Sequence, residues 1–577
     1  MTTTPRKIVF IGVNSSYSHS MLSYGFVRAW NEPFLPDHRW QLLETTINDD
    51  EAAGALAAVA AQPEVILGTA YLFNRDFLLR LLARVRALLP TTPIYLGGPE
   101  FLGDNAAFLR HFPAVTGVVR GDESSLHRII AGDPDAPGLC RLDADGNYHD
   151  HGTAAMPDTT PIPSPYLAGY FERGKPFYQL ETSRGCGGNC TFCTSSRSRG
   201  VRYLPLDRVR AELTVLAAAG AREIRLLDRT FNEPPDRAIA LLRLFREEFP
   251  RLRFHLEINP ARLTPELLEL LHELPPGQLH LEAGVQTFND AVLRTVRRPA
   301  TAAKTATGLR QLHACGNFEL HTDLIAGLPE QGLKDVIADL SRLIELEPEE
   351  IQLETLKILP GTPLAKRPPA GMVWNPEPPY EVLQTATMTA TELHRTRLLS
   401  KIIDHYYNAP ELRRLFAWAW RRENGFAHDF PLFLHRCGNP AIRVSPQKRL
   451  DNLAEFAAAT GNHMLAELVR FVWLVNGLPP EQYGLTPHKT VRGEIHDAAG
   501  AIINRVRDNH ELKRYFAAEF PFNAAAILAA VPTAWDHQPH RYLFYPRHGQ
   551  RLGRLVEIAP EPEIKPANGP APAVIAD

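Results

Sequence analysis

The chain predicts an α/β protein in three parts: a doubly wound, Rossmann-like parallel sheet, an open partial (β/α)6 barrel, and a mostly helical C-terminal region. Three observations carry this. Apolar strand patterns alternate with helical patterns over the first 135 residues, which implies parallel strands covered by helices on both faces. Six strand–helix repeats follow between residues 176 and 368. From Pro379 onward the apolar spacing turns helical.

Composition bounds the function. The 577 residues are 44% hydrophobic and 22% charged, with a net charge of −3. That is ordinary globular protein with no basic field for a nucleic acid. Six cysteines in so long a chain, and a start (Met1-Thr-Thr-Thr-Pro-Arg-Lys7) leading straight into a strand, predict a reducing, cytoplasmic setting. No run of about 18 apolar residues predicts a membrane span.

In the first part, expected at residues 1–135, Lys7–Val13 is an apolar run that reads as a buried parallel strand. Further strands are expected at Gln41–Thr46, Val65–Ala70, Ile94–Gly97 and Gly117–Arg120, with the clearest helix at Asp76–Leu89. Sheets of this class bind ligands beyond the carboxyl ends of their strands. Those ends carry Asn14-Ser15-Ser16, Thr69 to Asn74 with Tyr71, Gly97-Gly98-Pro99-Glu100, and Arg120-Gly121-Asp122-Glu123. No G-x-G-x-x-G or P-loop is present, which argues against a dinucleotide or ATP. Pro157, Pro161, Pro163 and Pro165 mark residues 136–175 as a linker.

The barrel strands are expected at Phe177–Thr182, Glu223–Asp228, Arg253–Ile258, Leu279–Ala283, Glu319–Ile325 and Ile351–Lys357. Chemistry in such barrels sits at the C-terminal strand ends. Directly after the first strand comes Glu181-Thr-Ser-Arg-Gly-Cys186-Gly-Gly-Asn-Cys190-Thr-Phe192-Cys193. Three thiolates at C-x3-C-x2-C spacing favour a [4Fe-4S] cluster with one iron open to another ligand. Structural zinc is the alternative, but it takes four ligands, usually in two pairs, and Cys140, Cys315 and Cys437 are isolated. Other strand ends offer Asp228, Glu257, Glu282, Gln286, Gly327 and Lys357. Arg297 and Arg298 follow the fourth strand, and at most one of two adjacent helical arginines faces a site.

The C-terminal region, expected at 369–558, reads as helices at Tyr380–Arg397, Lys401–Tyr407, Ala409–Trp420, Pro446–Thr460 and His463–Asn476. Pro410 suits a first helical turn. Asp404-His-Tyr-Tyr-Asn408 reads as helix packing with satisfied polar tips. His540–Tyr545 is strand-like, and the Pro- and Ala-rich stretch 559–577 is expected to be disordered.

The cysteine loop resembles the signature of the radical S-adenosylmethionine (SAM) enzymes. That resemblance implies that Cys186, Cys190 and Cys193 hold the cluster, whose open iron chelates SAM for reductive cleavage to a 5′-deoxyadenosyl radical. It also implies SAM contacts at Phe192, Asp228, Glu257, Glu282, Gln286, Arg298 and Gly327. The first domain is similar to the cobalamin-binding domain placed ahead of many such barrels. By that resemblance Asn14, Ser15, Tyr71, Asn74, Gly97, Gly98, Pro99, Glu100, Gly121 and Glu123 line the corrin face and nucleotide tail. The D-x-H-x-x-G motif of other cobalamin proteins is absent. The C-terminal region is similar to a helical domain of undefined function in one subgroup, so the resemblance spans roughly residues 5–550. The implied activity is cobalamin-dependent methylation of an unactivated carbon in a small molecule, served by a flavodoxin- or ferredoxin-type electron donor. Rearrangement without methyl transfer and a non-catalytic sensor are the alternatives. Methylthiotransfer to RNA is disfavoured, because the first 135 residues contain no cysteine and no basic C-terminal module is visible.

Overall fold

The computed structural model describes residues 6–157, 160–197, 200–438, 444–485, 516–529, 538–546 and 553–558. They fall into two compact units, Met1–Ser400 and Lys401–Asp577.

The first unit opens with β1 (Arg6–Asn14), α1 (Leu22–Asn31), β2 (His38–Thr46), α2 (Glu51–Ala60), β3 (Val65–Thr69), α3 (Arg75–Leu88), β4 (Ile94–Gly97) and β5 (Gly117–Val119). These strands are parallel, in the order β2-β1-β3-β4-β5. Val9, Ile11 and Val13 of β1 pack towards Leu78, Leu81, Leu82 and Val85 of α3. The alternate residues Ile8 and Phe10 pack with Tyr24 and Trp40 on the other face. Both faces of β1 are therefore apolar, which is why the strand reads as an unbroken hydrophobic run. The order reverses at β1, so the loops after β1 and β3 diverge and leave a crevice at the strand ends.

The sheet does not stop at β5. β6 (Leu139–Leu142) and β7 (Tyr148–Asp150) add to it antiparallel, inside the stretch expected to be a linker. An outer antiparallel hairpin can leave much of its length exposed. Cys140 packs into the core on one face of the sheet and Leu139 into that on the other, while Arg141, His149 and Asp150 leave no apolar run to read.

The second sheet comprises β8 (Phe177–Leu180), β11 (Glu223–Leu226), β12 (Arg253–Ile258), β13 (Leu279–Gln286), β14 (Glu319–Ala326) and β15 (Glu350–Thr355), all parallel and in chain order. Between the first two strands, β9 (Ser183–Gly185) and β10 (Val201–Tyr203) form a small antiparallel ribbon. This is the open six-strand barrel. Along β12, Phe254, Leu256 and Ile258 are buried while Arg253, His255 and Glu257 alternate with them. The alternation puts apolar side chains under the helices and polar ones into the lumen.

β16 (Val373–Trp374) and β17 (Val382–Gln384) then pair antiparallel within the first unit, where the sequence reads as helix from Tyr380. The helix starts only at Ala390. Tyr380 has φ +59 and Pro378-Pro379 precedes it, so helix cannot propagate from there. In the second unit the Ala409 helix begins at Arg413, leaving Pro410 in the preceding turn. Helices Pro446–Thr460 and His463–Val475 pack with an aromatic core of Tyr406, Phe416, Phe426, Phe430 and Phe456. Tyr406 and Tyr407 are buried, and Tyr406 accepts a 3.1 Å hydrogen bond from Asn452, so the tyrosines of the Asp404–Asn408 segment are packing residues. The strand expected at His540 is the centre of a three-stranded antiparallel sheet, β18 (Phe516–Phe520), β19 (His540–Pro546) and β20 (Gly553–Ile558). Residues 559–577 lie outside the described residues.

Gly98, just beyond β4, has φ +109, and a Cβ there would lie 2.4 Å from the Ala70 carbonyl oxygen. At Gly97 the nearest atom would be 3.7 Å away. Gly98→Ala is therefore expected to cost about 2 kcal/mol and to lower the thermal unfolding midpoint by about 2 °C. Gly97→Ala should leave it unchanged in the same circular-dichroism melt.

Candidate active site

The cysteine loop leaves the top of β8 and is tied down before its first cysteine. Asp228, at the end of β11 and 4% exposed, accepts from the Thr182 N–H (2.7 Å) and Oγ1 (2.5 Å) and from the Ser183 N–H (3.2 Å) and Oγ (2.7 Å). Arg237 donates to the Thr182 and Leu204 carbonyls at 3.0 and 2.7 Å. These bonds couple neighbouring barrel strands to the ribbon that carries the loop. Cys190 is buried, and Cys186 and Cys193 are half-buried. The Gly188 N–H donates to Cys186 Sγ at 3.3 Å, and the Thr191 N–H to the Val296 carbonyl at 3.0 Å. Burial pushes the Cys190 thiol up; the Arg298 guanidinium beside it opposes this, and Cys193 and Cys186 reinforce it as near neighbours. Arg298 donates to the Gly284 carbonyl at 2.5 Å, whereas Arg297 is exposed at φ +55. Of the two arginines, Arg298 faces the loop. Among the described residues no three His, Cys, Asp or Glu side chains converge on a single-ion site.

Below this loop the lumen is ionisable. Glu257 is raised to about 7, by burial first; Arg229 at 3.9 Å opposes the rise, and Glu282 and Asp323 add to it. Glu282 is held low, chiefly by a 2.9 Å hydrogen bond with His255 Nε2. Asp323 is raised by burial. Asp323 is not among the residues expected from sequence, although it lies four residues before Gly327 on the same strand face. Strand alternation, counted back from Gly327, puts Asp323 in the lumen. Gln286 has φ +71 at a bulge opposite β14. Gly327 has φ +88, and its N–H donates to Gln331 Oε1 at 2.9 Å. Phe192 is half-buried in the loop, and Lys357 pairs with Glu354 at 2.9 Å on the rim.

At the ends of the first sheet, the predicted residues separate into two groups. Asn74 is fully buried, with its amide on the Val13 and Thr69 carbonyls at 2.8 and 3.2 Å. Asn14 bonds Glu44 and the His19 carbonyl. Glu100, following Pro99, accepts from Tyr380 at 2.7 Å. Glu123 pairs with Arg184 of the cysteine ribbon at 3.0 Å. These four hold elements together. Gly121, at φ +113, lies so close to Ala154 that a Cβ would clash. Ser15, Tyr71, Gly97 and Gly98 remain around the strand ends, and Tyr71 stacks on Phe73 at 5.6 Å. Phe73 and Tyr17 are 49% and 81% exposed. His19, which the sequence reading did not single out, meets Phe177 of β8 edge-on at 4.9 Å.

Two outcomes follow. Asp228→Ala leaves several buried donors unpaired, so it should cost about 3 kcal/mol or more and sharply reduce iron uptake on reconstitution. Glu257→Gln tests the raised carboxyl. A native pKa above the unfolded value means stability is lost as pH rises towards 7, so the variant should melt higher than wild type at about pH 8 and equally at about pH 5.

The Radical SAM superfamily model matches residues 180–343, and the model for a protein of unknown function, DUF4080, matches residues 370–520. A tRNA-2-methylthio-N(6)-dimethylallyladenosine synthase from Sorangium cellulosum is 34% identical over 30% of this chain and 40% of its own length. A 2-(S-pantetheinyl)-carbapenam-3-carboxylate methyltransferase from Streptantibioticus cattleyicolor is 24% identical over 62% of this chain and 56% of its own. The chain thus spans about half the length of these relatives. The fold is shared with the cobalamin-dependent SAM radical enzyme OxsB, solved with aqua-cobalamin and SAM (TM-score 0.58, 15% identity, 81% of this chain and 78% of that one). It is shared too with the methyltransferase TsrM from Kitasatospora setae, solved with cobalamin and a [4Fe-4S] cluster (TM-score 0.51, 18% identity, 68% and 82%). Residues 180–343 are a radical SAM domain, set in a chain with the fold of cobalamin-dependent radical SAM enzymes and followed by a DUF4080 region.

Proposed function

We propose that this chain is a cobalamin-dependent radical SAM methyltransferase acting on an unactivated carbon of a small molecule. One observation carries the reading: a three-thiol loop sits at the mouth of a polar lumen and is bonded to the end of the first sheet. Arg184 pairs with Glu123 at 3.0 Å, and His19 packs on Phe177 at 4.9 Å, so the ends of the first sheet adjoin the cysteine ribbon and the strand before it.

The donor sets fit the groups. Cys186, Cys190 and Cys193 would hold the cluster, with the Gly188 N–H available to a sulfur at Cys186. Arg298, beside Cys190, offers a guanidinium matched to the SAM carboxylate. Glu257, Glu282 and Gln286 offer acceptors in the lumen. At the strand ends of the first sheet, Ser15, Tyr71 and Gly97 (where an added Cβ would meet nothing closer than 3.7 Å) lie beside the stacked Tyr71 and Phe73 rings, which suits the flat corrin of cobalamin. When bound, the cluster delivers the electron that cleaves SAM and cobalamin carries the methyl group. The chain's own part is to bind, orient and keep water out. The electron comes from an external flavodoxin- or ferredoxin-type donor. RNA methylthiotransfer is disfavoured: the matched stretch in the tRNA-modifying relative covers only 30% of this chain, and the first 135 residues hold no cysteine.

Cys190→Ala should drop iron content and reduce SAM cleavage to background; full iron with retained cleavage overturns the cluster assignment. In the reconstituted wild type with SAM and a reductant, S-adenosylhomocysteine and 5′-deoxyadenosine should both form. 5′-Deoxyadenosine alone would mean rearrangement, and neither product with a full cluster would mean a sensor.

A further inference from the structure

The cysteine loop is held from two sides at one residue. Thr191, between Cys190 and Cys193, donates its N–H to the Val296 carbonyl at 3.0 Å. Its own carbonyl accepts from the Leu364 N–H at 2.9 Å. Three segments therefore meet beside the cysteines: the loop, the chain around the end of helix Asp290–Thr295, and the short helix Pro363–Lys366. All three lack acidic residues. The chain has 65 Asp and Glu among its 577 residues, yet none falls within residues 182–206, 291–318 or 355–376.

The last two segments put cations into solvent. Arg294, Arg297, Lys366 and Arg367 are exposed, and among the described residues none of the four forms an ion pair. Exposed arginines elsewhere on the barrel are neutralised, Arg210 by Asp207 and Glu248, and Arg243 by Glu266. Two carboxylates bond to the second segment, Glu330 through Thr295 Oγ1 at 3.0 Å and Asp290 through the Ala302 N–H at 2.8 Å. Neither pairs with its arginines. Four unpaired like charges add repulsion rather than stability, and they raise a local positive field on a chain whose net charge is −3. The place of that field selects the partner. From the Val296 backbone, the path to the Cys190 sulfur crosses one hydrogen bond and then Cys190 itself.

We propose that this acid-free face is the docking surface for the electron donor, an acidic flavodoxin-type protein carrying a reduced flavin. This rests on the cluster reading above and names the partner of that site. One electron passes from the anionic reduced flavin to the oxidised [4Fe-4S] group. The flavin is oxidised by one electron, the cluster is reduced by one, and no bond or proton moves between the proteins. Redox encounters are small and weak, so steering by charge sets how often they occur. An RNA fits this face less well, since backbone recognition commonly takes about 6–10 phosphate contacts, more than four side chains supply.

The test uses the reconstituted holoenzyme and a purified flavodoxin. Arg294→Glu with Arg367→Glu reverses one charge on each segment. The control, Arg39→Glu with Arg251→Glu, reverses two exposed arginines at the N-terminal ends of β2 and β12, away from the cysteines. Iron content equal to wild type certifies an intact loop. Binding is read by isothermal titration calorimetry from about 0.01 M to about 1 M salt, over which the screening length falls about tenfold. Wild type should bind and lose affinity as salt rises. The first variant should bind about tenfold more weakly at low salt, with the gap closing at high salt, and the control should stay within about twofold. Cluster reduction by flavodoxin, taken relative to reduction by dithionite, should slow by the same factor in the first variant alone. Equal binding by the first variant and wild type overturns the proposal. So does a wild type that binds no flavodoxin at low salt, or a face that takes a tRNA or a ferredoxin instead. A wild type with full iron that cleaves no SAM under dithionite overturns the cluster reading, and the proposal with it.

Discussion

The site depends on one buried carboxylate. Asp228 sits at the end of the second barrel strand and accepts four hydrogen bonds from Thr182 and Ser183, the residues that leave the first strand. A carboxyl group this deep is tolerated because each of its oxygens accepts two hydrogen bonds. The consequence is geometric. The ribbon of β9 and β10 can take only one course out of the barrel, and the three cysteines on it are delivered to the mouth of the lumen.

From that point the barrel departs from the usual packed interior. In closed eight-stranded barrels, layers of branched apolar side chains fill the centre. Here the same inward positions hold His255, Glu257, His280, Glu282, His321 and Asp323. Stability comes from the outward alternates, Phe254, Leu256, Leu281 and Leu324, which are buried under helices. The open six-strand arc separates the two tasks: one face of each strand makes the core and the other makes a polar chamber.

Much of this was legible in the residues. β1 and β3 of the first sheet are unbroken apolar runs because both of their faces are covered, and the six barrel strands stand out between amphipathic helices. The cysteine spacing pointed to its chemistry without help from the fold. What escaped reading had physical reasons. The β6–β7 hairpin is a sheet edge, only partly buried. The Tyr380 region looks helical by composition, but its backbone begins with φ +59 after paired prolines. Asn74, Glu100, Glu123 and Asp228, expected from sequence as cofactor contacts, also make structural bonds that the sequence does not show. Their partners (the Val13 carbonyl, Tyr380, Arg184 and Thr182) lie far away in the chain and appear only once it is folded. The lumen histidines carried no signal at all, because a single imidazole in a strand resembles any other.

The central claim is that one chain brings a cluster loop and a cobalamin sheet together. The most direct test is anaerobic purification with hydroxocobalamin, reconstitution with iron and sulfide, and quantitation of both groups by absorption and EPR. The account predicts one cobalamin and about four irons per chain, the count for a single cubane cluster. Four irons without cobalamin would contradict it, leaving a radical SAM domain whose first sheet binds something else or only supports the barrel.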